Sequence, residues 1–228
     1  MDETKYALVT GTSSGLGFEM ASFLLEEGYA VIGISRSGTE IDHPNFIDII
    51  CDIRDEAAVE EMYELVGENT DSLHLIVLNA GIFEMAPLIE TSTNEFNDHL
   101  ATNVTGPFHI LKHGIDFIVE DETHIVTVSS IAAKKGLSNI SAYSASKFAL
   151  NGLIESVRDE WEHLGVRFST LMPGAIITPI WDEESEDLPR DQMMEIADFM
   201  HIFQMVVTSP AHIQFPEITF LHKRGMIK

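Results

Sequence analysis

Tyr143 and Lys147, four residues apart in Tyr143-Ser144-Ala145-Ser146-Lys147, are the pair most suggestive of chemistry. On a helix that spacing puts both side chains on one face. A phenol with an ordinary pKa of ~10 is a sluggish acid and a scarce base at neutral pH. A nearby ammonium stabilises phenolate and is expected to lower that value. Such a pair suits proton delivery to an alkoxide as it forms, which must accompany hydride transfer to a carbonyl. A second feature lies near the other end, where Thr10-Gly11-Thr12-Ser13-Ser14-Gly15-Leu16-Gly17 follows an apolar run. Glycines permit a tight turn and close approach of backbone to a diphosphate, and the following helix N-terminus offers free N–H groups and a favourable dipole. Gly11, Ser13, Ser14, Gly15, Leu16 and Gly17 are therefore candidate cofactor-binding positions.

The second apolar run ends Ile34-Ser35-Arg36. A carboxylate there would suit the adenosine ribose of NAD(H). A small neutral Ser35 followed by an arginine suits a 2′-phosphate instead, so NADP(H) is expected and NAD(H) is the weaker choice. An exposed surface arginine is the alternative reading of Arg36. His109 and His113 have the i, i+4 spacing of some zinc ligands, but no third ligand accompanies them, so a packed or surface pair is expected and no metal.

These residues must be positioned by the elements between them. Tyr6–Val9, Ala30–Ile34, Phe46–Cys51, Leu73–Leu78, His124–Val128, Val166–Leu171 and Glu217–Leu221 read as strands. Helices are expected over Gly15–Glu27, Glu56–Val66, Thr93–Val119 with a kink near Gly106-Pro107, Ala142–His163 and Met193–Val207. Met193, Met194, Met200 and Met205 would line the packed face of the last helix or border an apolar pocket. Strands separated by helix-length segments cannot close as hairpins, so right-handed crossovers must join them. The expected fold is α/β: a single domain over 1–228 with a doubly wound, mainly parallel sheet of about seven strands and helices on both faces. The acidic run Asp182-Glu183-Glu184-Ser185-Glu186-Asp187 reads as a solvated surface loop.

Taken in order, the glycine turn, Asn79-Ala80-Gly81, Val128-Ser129-Ser130 and Tyr143-x-x-x-Lys147 closely resemble the short-chain dehydrogenase/reductase family, from about Lys5 to Thr178. The resemblance implies a Rossmann-type fold and four catalytic positions: Asn103, Ser130, Tyr143 and Lys147. Ser130, thirteen residues before Tyr143, matches the family's serine better than Ser129, which reads as a structural neighbour. By the same resemblance Ser130 binds the substrate oxygen, Lys147 also binds the nicotinamide ribose, and Asn103 supports the proton relay. A plain helical asparagine is the other reading of Asn103. Asn79, Ala80 and Gly81 would border the cofactor, and Asp52 with Ile53 would contact adenine, although Asp52 could equally be a helix N-terminal carboxylate. Pro173, Gly174, Ile176 and Thr178 resemble the segment that holds the nicotinamide carboxamide. Residues 178–207 would form a short substrate lid. Relatives commonly form homodimers or homotetramers.

Composition narrows the partners. The 228 residues carry a formal charge of −24, which disfavours nucleic acid. One cysteine, Cys51, permits no internal disulfide. No apolar run approaches the ~18 residues of a membrane span, and the opening Met-Asp-Glu-Thr-Lys shows no signal-peptide pattern, so a cytoplasmic protein is expected. The expected partner is a small carbonyl or alcohol. The rivals are a reductase of 3-oxoacyl groups on a carrier protein, for which Lys134, Lys135 and Arg190 are a thin basic provision, and a non-catalytic NADP(H)-binding sensor or scaffold.

Overall fold

The computed structural model describes residues 4–181 and 189–225. Seven strands, β1 Tyr6–Thr10, β2 Ala30–Ser35, β3 Phe46–Ile50, β4 Leu75–Leu78, β5 His124–Val128, β6 Arg167–Pro173 and β7 Glu217–Phe220, form one sheet. Their order is β3-β2-β1-β4-β5-β6-β7, and every pairing is parallel. The central strands are buried on both faces because helices cover both sides, which is why they read as continuous apolar runs.

Side-chain alternation sorts the residues of β1 to β6 between two cores. Leu8, Ile76 and Ile125 face a cluster completed by helices α2 (Glu56–Gly67), α4 (Gly106–Gly114) and α5 (Ser141–Glu160). Ala7, Val9, Leu75, Val77 and Val126 face a second cluster with helices α1 (Gly15–Glu26) and α6 (Ile196–Val207). The chain order reverses between β1 and β4, and such a switch point leaves a crevice beyond the carboxyl ends of the strands.

Two elements differ from expectation. The helix expected over 93–119 is four pieces: α3 (Thr93–Leu100), a π-helical turn at Ala101–Thr105, α4, and a 3-10 turn at Ile115–Phe117. Pro107 sits in the first turn of α4, directly after the π turn. Met193 and Met194 lie outside α6: Met194 is extended and bridges to Ile176, with its N–H bonded to Ala175 O at 2.9 Å. Both are buried with Met200, whereas Met205 is exposed, so only part of the expected methionine face is packed. The acidic run 182–187 lies outside the described residues.

Close approach at the first turn is set by Gly17. A Cβ there would lie 2.0 Å from the Gly11 carbonyl oxygen. Gly17→Ala should therefore lower stability by about 2 kcal/mol through overpacking, read as a reduced urea midpoint at unchanged m-value.

Candidate active site

The crevice has two continuous halves. The first, about 370 Å³, lies over β1, β2 and β3. Gly11 at φ +80° and Gly15 at φ +58° make the turn that only glycine adopts without strain. Ser13, Ser14 and Leu16 line it with them, whereas Gly17 sits beneath the wall. Ser14 precedes α1 without a side-chain cap, leaving the first-turn N–H groups for an anion. Asn79, Ala80 and Gly81 form the adjoining wall. Asn79 is also a structural clasp: its Nδ2 donates to Thr10 O at 2.9 Å, and the N–H groups of Asn79 and Ala80 donate to Thr10 Oγ1 at 3.0 Å each.

At the far end lie Ser35, Arg36, Asp52 and Ile53. Ser35 Oγ is buried without a hydrogen-bond partner, and Arg36 is exposed with no ion pair among the described residues. Asp52 is gripped by Arg54, whose Nε and Nη2 donate to the carboxylate at 3.0 and 2.6 Å. That hydrogen bonding holds the Asp52 carboxyl below its ordinary range, with Arg36 adding a smaller push. The cap of α2 is Asp55, which accepts from Ala57 N–H, so Asp52 is not the helix-terminal carboxylate. Arg54 itself lines the cleft and was missed in the sequence. Its position two residues after Asp52, adjacent in an Asx-type turn, was the available signal.

The second half, about 910 Å³, contains Ser130, Tyr143 and Lys147 together with Pro173, Gly174, Ile176 and Thr178. Ser130 follows β5, accepts from Ala132 N–H at 3.1 Å, and is hydrogen-bonded with Tyr143. Ser129 is the structural neighbour, donating to Asn151 Oδ1 at 2.7 Å. Asn103 does not line the cleft. Its Oδ1 accepts from Ile82 N–H at 2.9 Å, while Nδ2 donates to Ile82 O at 3.1 Å and Ser146 Oγ at 2.9 Å. Ser146 Oγ donates in turn to Tyr143 O at 2.7 Å, so Asn103 ties the wall after β4 to the turn of α5 that bears the tyrosine. The Ile176 carbonyl is already taken by Trp181 Nε1 at 2.7 Å.

The expected effect of Lys147 on Tyr143 is corrected by the structure. Lys147 Nζ donates to Val128 O at 3.0 Å and sits 5.6 Å from the centre of the Tyr143 ring. Burial pulls the ammonium down to about 8. Burial likewise pushes the phenol up to about 12, with the Ser130 hydrogen bond acting in the opposite direction. Desolvation is the leading cause of both shifts. His109 and His113 also diverge, the first contacting Ile53 O at 3.0 Å and the second Glu56 at 3.2 Å.

The sequence pattern of the short chain dehydrogenase family matches residues 5–189. The chain belongs to this family. Among its short-chain dehydrogenase relatives, a 3-amino-tetrahydro-pyrrolizinone reductase of Xenorhabdus hominickii is 32% identical over 183 residues, 78% of this chain and 64% of that protein, just under two thirds of its length. An NADPH-dependent pterin aldehyde reductase of Arabidopsis thaliana is 32% identical over 183 residues, 76% of this chain and 75% of that one. The structure of an alcohol dehydrogenase from the archaeon Thermococcus sibiricus, complexed with 5-hydroxy-NADP, superposes at TM-score 0.88 over 99% of this chain and 100% of that one, at 22% identity.

The depressed Lys147 value makes a thermodynamic prediction for this short-chain dehydrogenase. Between about 8 and the ordinary lysine value the unfolded chain holds a proton that the folded chain has released, so this group makes stability rise with pH across that window. Denaturant unfolding from pH 8 to 10 should show that rise in the wild type relative to Lys147→Met, and parallel curves would place the lysine's titration elsewhere.

Proposed function

We propose that this oxidoreductase interconverts a small carbonyl compound and its alcohol with NADP(H). The observation that carries the reading is the convergence of Ser130, Tyr143 and Lys147 on one apolar cleft that continues into the glycine turn. The cradle fits a dinucleotide: a Cβ at Gly11 would fill it to within 2.8 Å of Asn79 Nδ2, and Ser35 Oγ lacks a partner where the adenosine ribose would lie. Gly11, Ser13, Ser14, Gly15 and Leu16 would hold the diphosphate, Asp52 and Ile53 the adenine, and Thr178 with the Pro173–Ile176 backbone the nicotinamide. The bound cofactor supplies hydride to the carbonyl carbon or removes it from the alcohol.

The chain's own residues manage the proton and the orientation. In the reductive direction Ser130 donates to the carbonyl oxygen, and Tyr143 passes its phenolic proton to that oxygen as negative charge develops there. A phenol raised to about 12 keeps its proton until the acceptor is basic enough to take it, which suits the acid role. Lys147, held against the ring by Val128 O, orients the tyrosine and would bind the nicotinamide ribose. Asn103 acts as a positioning residue through Ser146 and Ile82.

Arg36 supports NADP(H), since it has no competing ion pair among the described residues and follows a residue without a carboxylate. The NADPH dependence in the name of the Arabidopsis relative is consistent with this choice. The carrier-protein rival loses ground because Lys134 is already paired with Glu217 at 2.6 Å. In the same reading the chain is one functional unit. The described ends of the 178–207 lid, including Trp181 and Pro189, border the substrate. Exposed Phe108 on α4 and Phe148 on α5 support a homodimer or homotetramer assembled through these helices. The single, buried Cys51 suits a reducing compartment such as the cytoplasm, and no described helix is long and apolar enough to cross a membrane.

Two measurements test this reading. Tyr143→Phe should lower kcat on any accepted carbonyl by ~10²–10⁴-fold while NADPH binding stays within about threefold; retained turnover would sink the assignment. Arg36→Ala should weaken NADPH binding by roughly 10–100-fold and leave NADH binding unchanged in calorimetric titrations, whereas equal losses for both cofactors would overturn the phosphate contact.

A further inference from the structure

The substrate half of the cleft is walled by aromatic rings in fixed positions. Phe83 meets the Tyr143 ring edge-on with centroids 4.9 Å apart, and Trp181 lies against Phe83 at 4.7 Å. The indole cannot turn freely, because Nε1 is bonded to Ile176 O at 2.7 Å. The segment carrying Ile176 is itself anchored to Met194 through Ile177 N–H at 2.9 Å. Ile131 and Leu137 also line it. Beside the lining residue Met85, Ala86 N–H donates to the carbonyl oxygen of the lining residue Asn139 at 2.7 Å, which ties two separate segments of the wall together.

Charge narrows the class of occupant. No aspartate or glutamate among the described residues lines this half, although the chain carries 37 acidic residues. Its two lysines are Lys147, already bonded to Val128 O, and Lys135, exposed to solvent at the rim. A carboxylate placed between the rings would lose its hydration and meet the negative π-faces without gaining a partner. Flat π-faces reward a second flat ring with offset-stacked or edge-to-face contact beyond simple area burial.

We infer that the substrate class is a carbonyl without a carboxylate, carried on a flat, aromatic ring, selected by Trp181 and Phe83. This rests on the reductase reading above. The ring lies against Trp181 and Phe83 with its carbonyl directed at Ser130 and Tyr143. In turnover the carbonyl carbon would gain a hydride from NADPH and the oxygen the Tyr143 proton; NADP⁺ and the alcohol would then leave, and Tyr143 would regain a proton from solvent.

The test compares NADPH-dependent reduction of benzaldehyde and cyclohexanecarbaldehyde, whose skeletons match while their flatness differs. The benzaldehyde-to-cyclohexanecarbaldehyde ratio of kcat/KM should fall by roughly three- to tenfold in Trp181→Ala and be kept in Trp181→Phe, which cancels intrinsic reactivity. Wild-type kcat/KM should also be roughly tenfold lower for 4-carboxybenzaldehyde than for benzaldehyde. An unchanged ratio in Trp181→Ala, or a carboxylated substrate that matches benzaldehyde, overturns the inference. Occupancy is read separately in a Trp161→Phe background, where Trp181 is the remaining tryptophan. Saturable quenching of its fluorescence by benzaldehyde, without turnover of any carbonyl, would uphold the ring site and overturn the reductase reading. Turnover without such quenching would overturn the ring site and leave the reductase reading intact.

Discussion

Thr10 ends β1 with a buried hydroxyl that donates to Val77 O at 3.2 Å and accepts the N–H groups of Asn79 and Ala80. Asn79 returns its amide to the Thr10 carbonyl. This clasp joins β1 to β4 where the direction of strand addition reverses and the sheet cannot close over its own end. The glycine turn hangs from one side of it. From the other side runs the segment carrying Gly81, Ile82 and Phe83, which Asn103 then ties to α5. Buried hydrogen bonds of this kind are individually modest in net terms, yet breaking one partner would leave polar atoms unsatisfied between two core strands. The position of both halves of the cleft follows from that junction.

The second constraint is the cost of the machinery placed there. A lysine and a tyrosine stand side by side in a desolvated wall, and burial moves each away from its charged form. The structure offsets this locally: Val128 O receives the ammonium and Ser130 bonds the phenol. Sequence spacing captured the shared helix face but not the dielectric around it. Burial and the Ser130 hydrogen bond act in opposite directions on the same phenol, and burial is the larger.

That contrast explains what was legible. Strand burial, the alternation of β and α, and the glycine turn all derive from short-range pattern, so the parallel sheet, the shared face of Tyr143 and Lys147 and the 11–17 turn could be read directly, whereas Ser130 was expected only from the family resemblance. The π turn at 101–105 could not be read, because it is fixed by Asn103 reaching Ile82 and Ser146, contacts 21 and 43 residues away in sequence. Trp181 and Phe83 escaped for the same reason: neither belongs to a motif, and their roles arise where separate segments meet. Arg54 was masked by the more familiar Asp52 beside it.

The charge of the whole chain and the charge of the cleft point in opposite directions. An anionic dinucleotide approaching a protein of −24 meets a repulsive field. At physiological ionic strength the screening length is about 8 Å, so carboxylates on the far surface fade and the local groups decide. In the cofactor half those groups are Arg36, Arg54 and a single acid, Asp52, whose charge Arg54 already neutralises. Arg36 is left without an ion-pair partner among the described residues, beside the unpaired hydroxyl of Ser35. A surface arginine in an acidic protein would ordinarily be taken by a neighbouring carboxylate. Under the proposed NADP(H) reading, its uncommitted state at the mouth of a glycine-lined cleft is the local arrangement that would let so acidic a chain present a site for phosphate.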